Sequence, residues 1–440
     1  MTAVVDLDPS LDPFHPDNLA SPYPFYERLR DIGPVLYLPS RNIYLATTHE
    51  AVDTALRDYR TFSSAAGVGY PICTASRDGG IRRTKLLNAA LVRAPRLTGR
   101  LTRITMDRIG GWLLERDPDP VEAPFIGTDP PQHTNNRRAV QPFFARDAIA
   151  EAMPMVRGHV TDLVDQSLSR TTIDAVEVFS AELPARVIAD FIGMRAPTDH
   201  ALRGSAGVFD IMGPDPALSS CRHAARALGW MLSDGVADLP DDSACIGRQI
   251  MEHGGAPGAS GSLAPGFDRA VGLFSIWVAA LDTTASLIGN MLNVFADHPD
   301  QWQRLRENPD LAETAVEEAL RFDGPIRAFF RTATVDTVLC GTTIPADSRV
   351  ATIFASANRD PAVFDDPDTF DIGRHPNPHL SFGASVHLCL GAPLARLEAT
   401  ALLEELAARV KSIERSCPGV RTTNSTTRGF RTLPLTFVPA

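Results

Sequence analysis

The sequence predicts a mainly α-helical protein with small β-sheets, and three observations carry that expectation. From about residue 147 to residue 410 apolar residues recur at helical spacing, as in IAEAMPMVRGHVTDLVDQSLS and FDRAVGLFSIWVAALDTTASLIGNMLNVFADH, with Pro, Gly and Asp clusters between the segments. Two shorter intervals, one near the start and one after residue 330, replace that spacing with β-branched and aromatic residues. A turn-like segment carrying Cys389 then runs straight into the helical pattern APLARLEATALLEELAARV.

In chain order, PYPFYERLRD predicts an opening helix, and PVLYL and NIYLAT predict two strands of a small N-terminal sheet. Residues from about 70 to 128 form an atypical segment containing the basic run IRRTKLLNAALVRAPRLTGRLTR, a candidate for extra helices, substrate cover or a protein-binding surface. TDPPQHTNNRRAV predicts a helix that starts after its prolines and carries His133 and Arg137 on one face. GGAPGASGSL reads as a loop rather than a domain boundary. RTATVDTVLCGTTIPADSRVATIF predicts a second group of strands.

The formal charge of -11 and pI near 5.5 describe an acidic chain, which argues against nucleic acid or an anionic membrane as its partner. No nucleic-acid reader motif accompanies the basic run. The opening MTAVVDLDPSLDPF lacks a basic start followed by an apolar run, and no stretch approaches about 20 uninterrupted apolar residues. A cytoplasmic protein without a membrane anchor is the expectation. The six cysteines are widely spaced and form no close zinc-type pairs.

A helix start beside Cys389 offers backbone amides and a positive dipole end to a thiolate. One cysteine before a helix is ordinarily a small buried residue, but its neighbours here are specific. FGASVHLCLG places Phe382, His387, Cys389 and Gly391 in an order that resembles the haem-binding loop FxxGxHxCxG of the cytochrome P450 family. That resemblance implies the cytochrome P450 fold over a single domain of residues 1–440, with haem between an oxygen-activation helix and the cysteine-ligand loop. It implies heme b (iron protoporphyrin IX), with Cys389 as the metal ligand, Phe382 packed beside it and His387 near a propionate. Ser385 stands where the family usually has a second glycine, which puts a β-carbon at a position expected to need a left-handed turn.

In AVEEALRFDGP, Glu318 and Arg321 are three apart and share a helical face. The pair resembles the family's internal ExxR, which implies a structural ion-pair network completed by Arg374 of FDIGR. The resemblance also gathers His133, Arg137, Arg331 and His387 around the haem propionates. In AALDTT, Asp282, Thr283 and Thr284 interrupt a long apolar helix, where hydroxyl and carboxylate groups need partners. This resembles the family's oxygen-binding helix and implies catalytic roles for Thr283, which would hold water at the oxygen site, and Asp282, which would connect that site to bulk protons. Ala280 replaces the more usual glycine.

Spacing by four places Ser275, Ala279 and Thr283 on one helical face. Ser275, Ala279, Val278 and Phe430 are candidates for contact with substrate in a mostly hydrophobic pocket, as are Ile326 and Phe329, which resemble substrate-facing positions of the family. The pattern is similar to bacterial members of the family that oxidise compact para-substituted aromatic acids. It implies a haem-thiolate monooxygenase using dioxygen as cosubstrate, with electrons from NAD(P)H arriving through a ferredoxin and ferredoxin reductase. Two other classes fit a haem pocket: a peroxygenase or rearrangement enzyme that needs no electron donor, and a haem-binding sensor without turnover. The Asp282 and Thr283 pair favours monooxygenation over both.

Overall fold

A computed structural model describes residue 7 and residues 11–65, 68–69, 125–195, 198–263 and 267–440. Most of the segment from 70 to 128 that the sequence singled out lies outside the described residues.

The early elements follow the sequence pattern. Helix α1 spans Tyr23–Ile32, α2 His49–Arg57, α3 Gln132–Val140 and α4 Arg146–Leu168. Thr48 caps α2 by accepting the Ala51 amide, which satisfies one of the otherwise unpaired amides of a helix start. Helices α5 (Glu182–Ile192), α6 (Thr198–Ile211), α7 (Leu218–Trp230) and α8 (Ile246–His253) precede the longest element, α9 (Phe267–Asp297). Then come α10 (Pro299–Glu307), α11 (Ala312–Phe322) and α12 (Ala392–Arg409).

Helix α9 is the axis of the fold. Its side chains Leu273, Trp277, Leu281, Ile288, Met291 and Phe295 are at most 1% exposed, and α5, α6, α11 and α12 pack around it. It is long and apolar enough to cross a membrane, but most of its apolar window is buried inside the fold, which explains that composition.

The strands depart from the expectation of two local sheets. β1 (Val35–Leu38) and β2 (Ile43–Ala46) pair antiparallel, and β2 then runs parallel to β8 (Arg349–Thr352). β5 (Phe329–Ala333) joins β8 to β3 (Phe62–Ser63), giving one five-stranded sheet in the order β1-β2-β8-β5-β3. Both strand-rich intervals of the sequence therefore build the same sheet. The later interval also forms a separate hairpin, β6 (Thr337–Leu339) with β7 (Thr342–Ile344). Near the C-terminus, β12 (Pro434–Pro439) lies between β9 (Val410–Arg415) and β4 (Ile173–Asp174), and β10 (Val420–Arg421) pairs with β11 (Phe430–Thr432).

Candidate active site

Glu318 and Arg321 sit on α11 with both side chains fully buried. Arg321 donates through Nε and Nη2 to the two Glu318 oxygens, each at 2.8 Å. Its remaining donors reach the carbonyls of Asn358 (3.0 Å), Pro367 (2.8 Å) and Thr369 (3.0 Å). Glu318 also accepts from the Asp371 amide at 3.0 Å and from Arg374 Nε at 3.2 Å. The expected three-member network is thus assembled, and Asn377 adds a further donor to Glu318 at 3.2 Å.

Asn358 links this network to the cysteine loop. Its side chain accepts the Leu380 amide at 2.7 Å and donates to Ser381 Oγ at 2.8 Å, while Ser381 Oγ donates to Leu320 O at 2.6 Å. The loop that follows turns through two left-handed residues, Gly383 at φ 71° and Ser385 at φ 58°. Ser385 therefore occupies the strained conformation that its missing glycine foreshadowed. The Cys389 amide closes the loop on Phe382 O at 2.8 Å, and Pro393 in the first turn of α12 fixes the start of the helix.

A second, partly exposed cluster clamps the loop from the other side. Arg396 stands 4.4 Å above the Phe382 ring centroid and donates to Glu317 at 2.6 and 2.8 Å, while His379 lies 3.1 Å from the same carboxylate. Burial alone would raise the Glu317 carboxyl, but Arg396 and His379 outweigh it and hold the group down at about 2.

The loop opens on a cavity that α9 bounds with Ser275, Ala279, Ala280 and Thr283, together with Ile326 and Phe329. Cys389, Phe382, His387, His133, Arg137 and Arg331 reach the same cavity. Cys389 is accessible from that space although protein encloses it, and burial pushes its thiol up. The amides of Gly391 and Ala392, with Arg137 and Arg396, pull the other way without prevailing. The helix start favours a thiolate, as the sequence implied, but a bound cation has to complete the stabilisation.

Polar groups at the cavity margin call for an anion. The His133 and His387 rings are 4.3 Å apart, and His133 Nδ1 and His387 Nε2 are buried without partners. Burial, then Arg137, holds His133 down at about 4; burial, then Arg331, holds His387 down at about 3. Both rings are neutral at pH 7 and each has one N–H to donate. Arg137 donates to Leu388 O at 2.7 Å and Arg331 to Phe330 O at 2.9 Å, yet neither forms an ion pair among the described residues. Burial depresses Arg331 to about 10, with Asp129 opposing, so it stays cationic at neutral pH. Among the described residues, two guanidiniums without an ion pair and two neutral imidazoles match the two carboxylates of haem, and the Cys389 thiol matches its iron. The residues present fit the group.

On α9, Thr283 donates its hydroxyl to Ala279 O at 2.6 Å, which leaves its oxygen free to accept a hydrogen bond from the cavity side. Asp282 does not line the cavity. Its Oδ2 is buried without a partner and burial raises the carboxyl to about 6, against a lowering contribution from Thr427. Val278 and Phe430, both expected to face substrate, are not brought to the cavity wall. Val278 points into the core at 4% exposure, because residue 278 lies off the face shared by 275, 279 and 283. Phe430 stacks under the Arg421 guanidinium, 3.7 Å from its ring centroid. Glu398 was missed by the sequence reading. It lies nine residues after Cys389 on α12, is 2% exposed at the cavity edge, and has one oxygen without a partner; burial pushes its carboxyl well up. The available signal was an acid at a buried position of the α12 pattern.

Across residues 270–412 the chain matches the family model described as Cytochrome P450. It is 32% identical to Cytochrome p450 CYP199A2 of Rhodopseudomonas palustris over 98% of this chain and 94% of that one. The chain belongs to the cytochrome P450 family. This P450 is also 32% identical to the beta-dihydromenaquinone-9 omega-hydroxylase of Mycobacterium tuberculosis, covering 97% of this chain and 78% of the relative. Among solved structures it superposes on the cytochrome P450 CREJ in complex with (4-ethylphenyl) dihydrogen phosphate with a TM-score of 0.76, at 25% identity, covering 95% and 98% of the two chains. It matches CYP108D1 from Novosphingobium aromaticivorans equally well in fold, with a TM-score of 0.76 at 24% identity, covering 99% and 100%. As a member of the family, this P450 is a haem monooxygenase that uses dioxygen.

Proposed function

We propose that this P450 inserts one atom of dioxygen into a small hydrophobic or aromatic organic substrate, by hydroxylation or by oxidative O-demethylation. The observation that carries the reading is one cavity in which Cys389, the Thr283 hydroxyl and an apolar wall meet, with the Asp282 carboxyl one residue away. His133, Arg137, Arg331 and His387 would hold the haem propionates, and Cys389 would hold the iron. Haem bound there supplies oxygen activation and transfer, chemistry that no side chain in the cavity performs.

The protein residues control geometry and protons. Thr283 accepts a hydrogen bond from a water in the cavity, since its own proton is committed to Ala279 O. Asp282, poised near neutrality by burial, exchanges protons with solvent and passes them toward that water. Ile326, Phe329 and Ala279 exclude bulk water and hold an apolar substrate, and Ser275 adds one hydroxyl for orientation. The bound (4-ethylphenyl) dihydrogen phosphate of CREJ supports a compact para-substituted aromatic as the first class to test, aromatic acids included.

The electron supply in this reading is NAD(P)H through a ferredoxin reductase and a small acidic ferredoxin in the cytoplasm, which meets the cysteine side where Arg137 and Arg396 lie. The test has two stages. Reduced, carbonmonoxy haem-loaded protein is expected to show the absorption of a thiolate-ligated carbonyl complex, and its absence counts against Cys389 ligation. Titration with compact aromatic acids is then expected to drive a low-spin to high-spin change; no response to them, beside tight binding of larger ligands, rejects the substrate class.

A further inference from the structure

Two atoms of α9 define one step of its hydrogen-bond ladder beside the Asp282 and Thr283 pair: the carbonyl of Val278 and the amide of Asp282, four residues on. A hydroxyl from another helix sits on both. Ser205 Oγ, on α6, donates to Val278 O at 2.6 Å and accepts from Asp282 N at 3.2 Å. Ser205 is 0% exposed, so no water competes for either bond. A side chain that enters a helix ladder in this way sets the local pitch and the direction of the residues at that turn.

The bridge spans the turn of α9 that carries Ala280. Ala280, which replaces a glycine, lies within the turn that Ser205 spans and lines the cavity. Beyond the bridge, Asn424 Nδ2 reaches Ala206 O at 3.5 Å, and Asn424 Oδ1 accepts the amides of Thr426 at 2.8 Å and Thr427 at 3.1 Å. Asp282 therefore lies among α9, α6 and the 424–427 loop, with Thr427 beside its carboxyl. On α6 the next turn presents Phe209 to the cavity wall.

We infer that Ser205 is a positioning residue for oxygen activation, holding the 278–282 turn of α9 so that Asp282 and Thr283 keep their relation to the cavity. The inference rests on the reading that this pair manages protons during monooxygenation. Ser205 does not line the cavity; it acts through the backbone of α9.

The test uses full-length, haem-loaded protein carrying Ser205→Ala, with Ser205→Thr as the variant that restores a hydroxyl. Haem content and the reduced carbonyl spectrum establish that each variant is folded. Hydrogen exchange is followed by mass spectrometry on peptides covering 277–285, and Ser205→Ala is expected to accelerate exchange there about five- to tenfold, the consequence of losing one buried hydrogen bond. With a substrate that the parent oxidises, the peroxide share of consumed electrons is expected to rise several-fold and the solvent deuterium isotope effect on product formation to change. Substrate affinity should stay within about twofold, a split that loss of packing alone does not produce. Recovery by Ser205→Thr of both slow exchange and coupling completes the expected result. Unchanged exchange overturns the inference, as does accelerated exchange with unchanged coupling and isotope effect. A parent that forms no dioxygen-dependent product sinks the monooxygenase reading instead, and the exchange measurement still decides whether Ser205 holds the turn.

Discussion

Removing Arg321 is expected to abolish haem loading without touching the haem pocket itself. Arg321→Ala deletes both hydrogen bonds to Glu318 and all three to the carbonyls of Asn358, Pro367 and Thr369. Glu318, fully buried, would keep only the more distant Arg374 as a cation at 3.2 Å. A buried charge that loses its partner costs roughly 3–5 kcal/mol, and the Asn358 and Pro367 carbonyls, left without a donor, cost about 1–3 kcal/mol more each, while Thr369 O keeps Arg374 Nη2 at 3.2 Å. The total rivals the roughly 5–15 kcal/mol that hold a whole domain together. The damage would pass through Asn358 to Leu380 and Ser381, which anchor the entry to the cysteine loop. The assay is the ratio of haem absorbance to protein in the soluble fraction, with a thermal melt of whatever is recovered. Arg321→Lys should fare little better, because one ammonium cannot serve both carboxylate oxygens and three carbonyls. A soluble, fully haem-loaded Arg321→Ala protein melting within a few degrees of the parent would refute this reasoning.

Thr283→Ala should retain haem and bind substrate within about twofold of the parent, yet divert electrons into peroxide or water, because the hydroxyl proposed to accept a hydrogen bond from a cavity water is gone; unchanged product per reduced nicotinamide, with no extra oxygen consumption, rejects that role. Asp282 carries a carboxyl raised from 3.8 to about 6, so the folded protein binds its proton more tightly than the unfolded chain, and the stability this confers at low pH is lost as pH rises through about 6. Asp282→Asn should therefore be more stable than the parent above that pH, by up to about 3 kcal/mol, with the difference shrinking as pH falls toward 4, while product formation drops. Urea denaturation across that range checks the sign, and a variant less stable than the parent near pH 8 contradicts it. Ser385→Gly should relieve a left-handed residue that costs roughly 1–2 kcal/mol, partly offset by the freedom glycine gains in the unfolded chain. Slower haem transfer to excess apomyoglobin is the expected readout, and faster transfer would count against it.

Legibility in the sequence followed the range of the interactions. His133 and Arg137, or Glu318 and Arg321, were readable because helical spacing alone puts each pair on one face, and the structure keeps them there. The resemblance supplied Arg374, and the structure places it on Glu318. The parallel pairing of β2 with β8 was not readable, since nothing in Ile43–Ala46 marks Arg349–Thr352 as its neighbour. Phe430 failed for a similar reason: its contact is Arg421 across a short hairpin, and apolar character does not separate a ring that meets substrate from one that covers a guanidinium. Ser205 carries no local signal beyond polarity, and Glu398 only its place at a buried position of the α12 pattern. What gives each its meaning is the partner, or the missing partner, that tertiary packing supplies.

The parallel pairing of β2 with β8 also bears on how the chain is made. On a ribosome the first strands emerge about 300 residues before the strand that completes their sheet, an interval of roughly 15–60 s at about 5–20 residues per second. During that time β1 and β2 hold an apolar hairpin with an unsatisfied edge, the kind of surface that invites association with other nascent chains. The cysteine loop is synthesised later still, so haem capture waits until residues 382–391 have left the exit tunnel. Yield of active protein should then depend on translation speed and on chaperones that shield the early hairpin, more than on the supply of porphyrin alone.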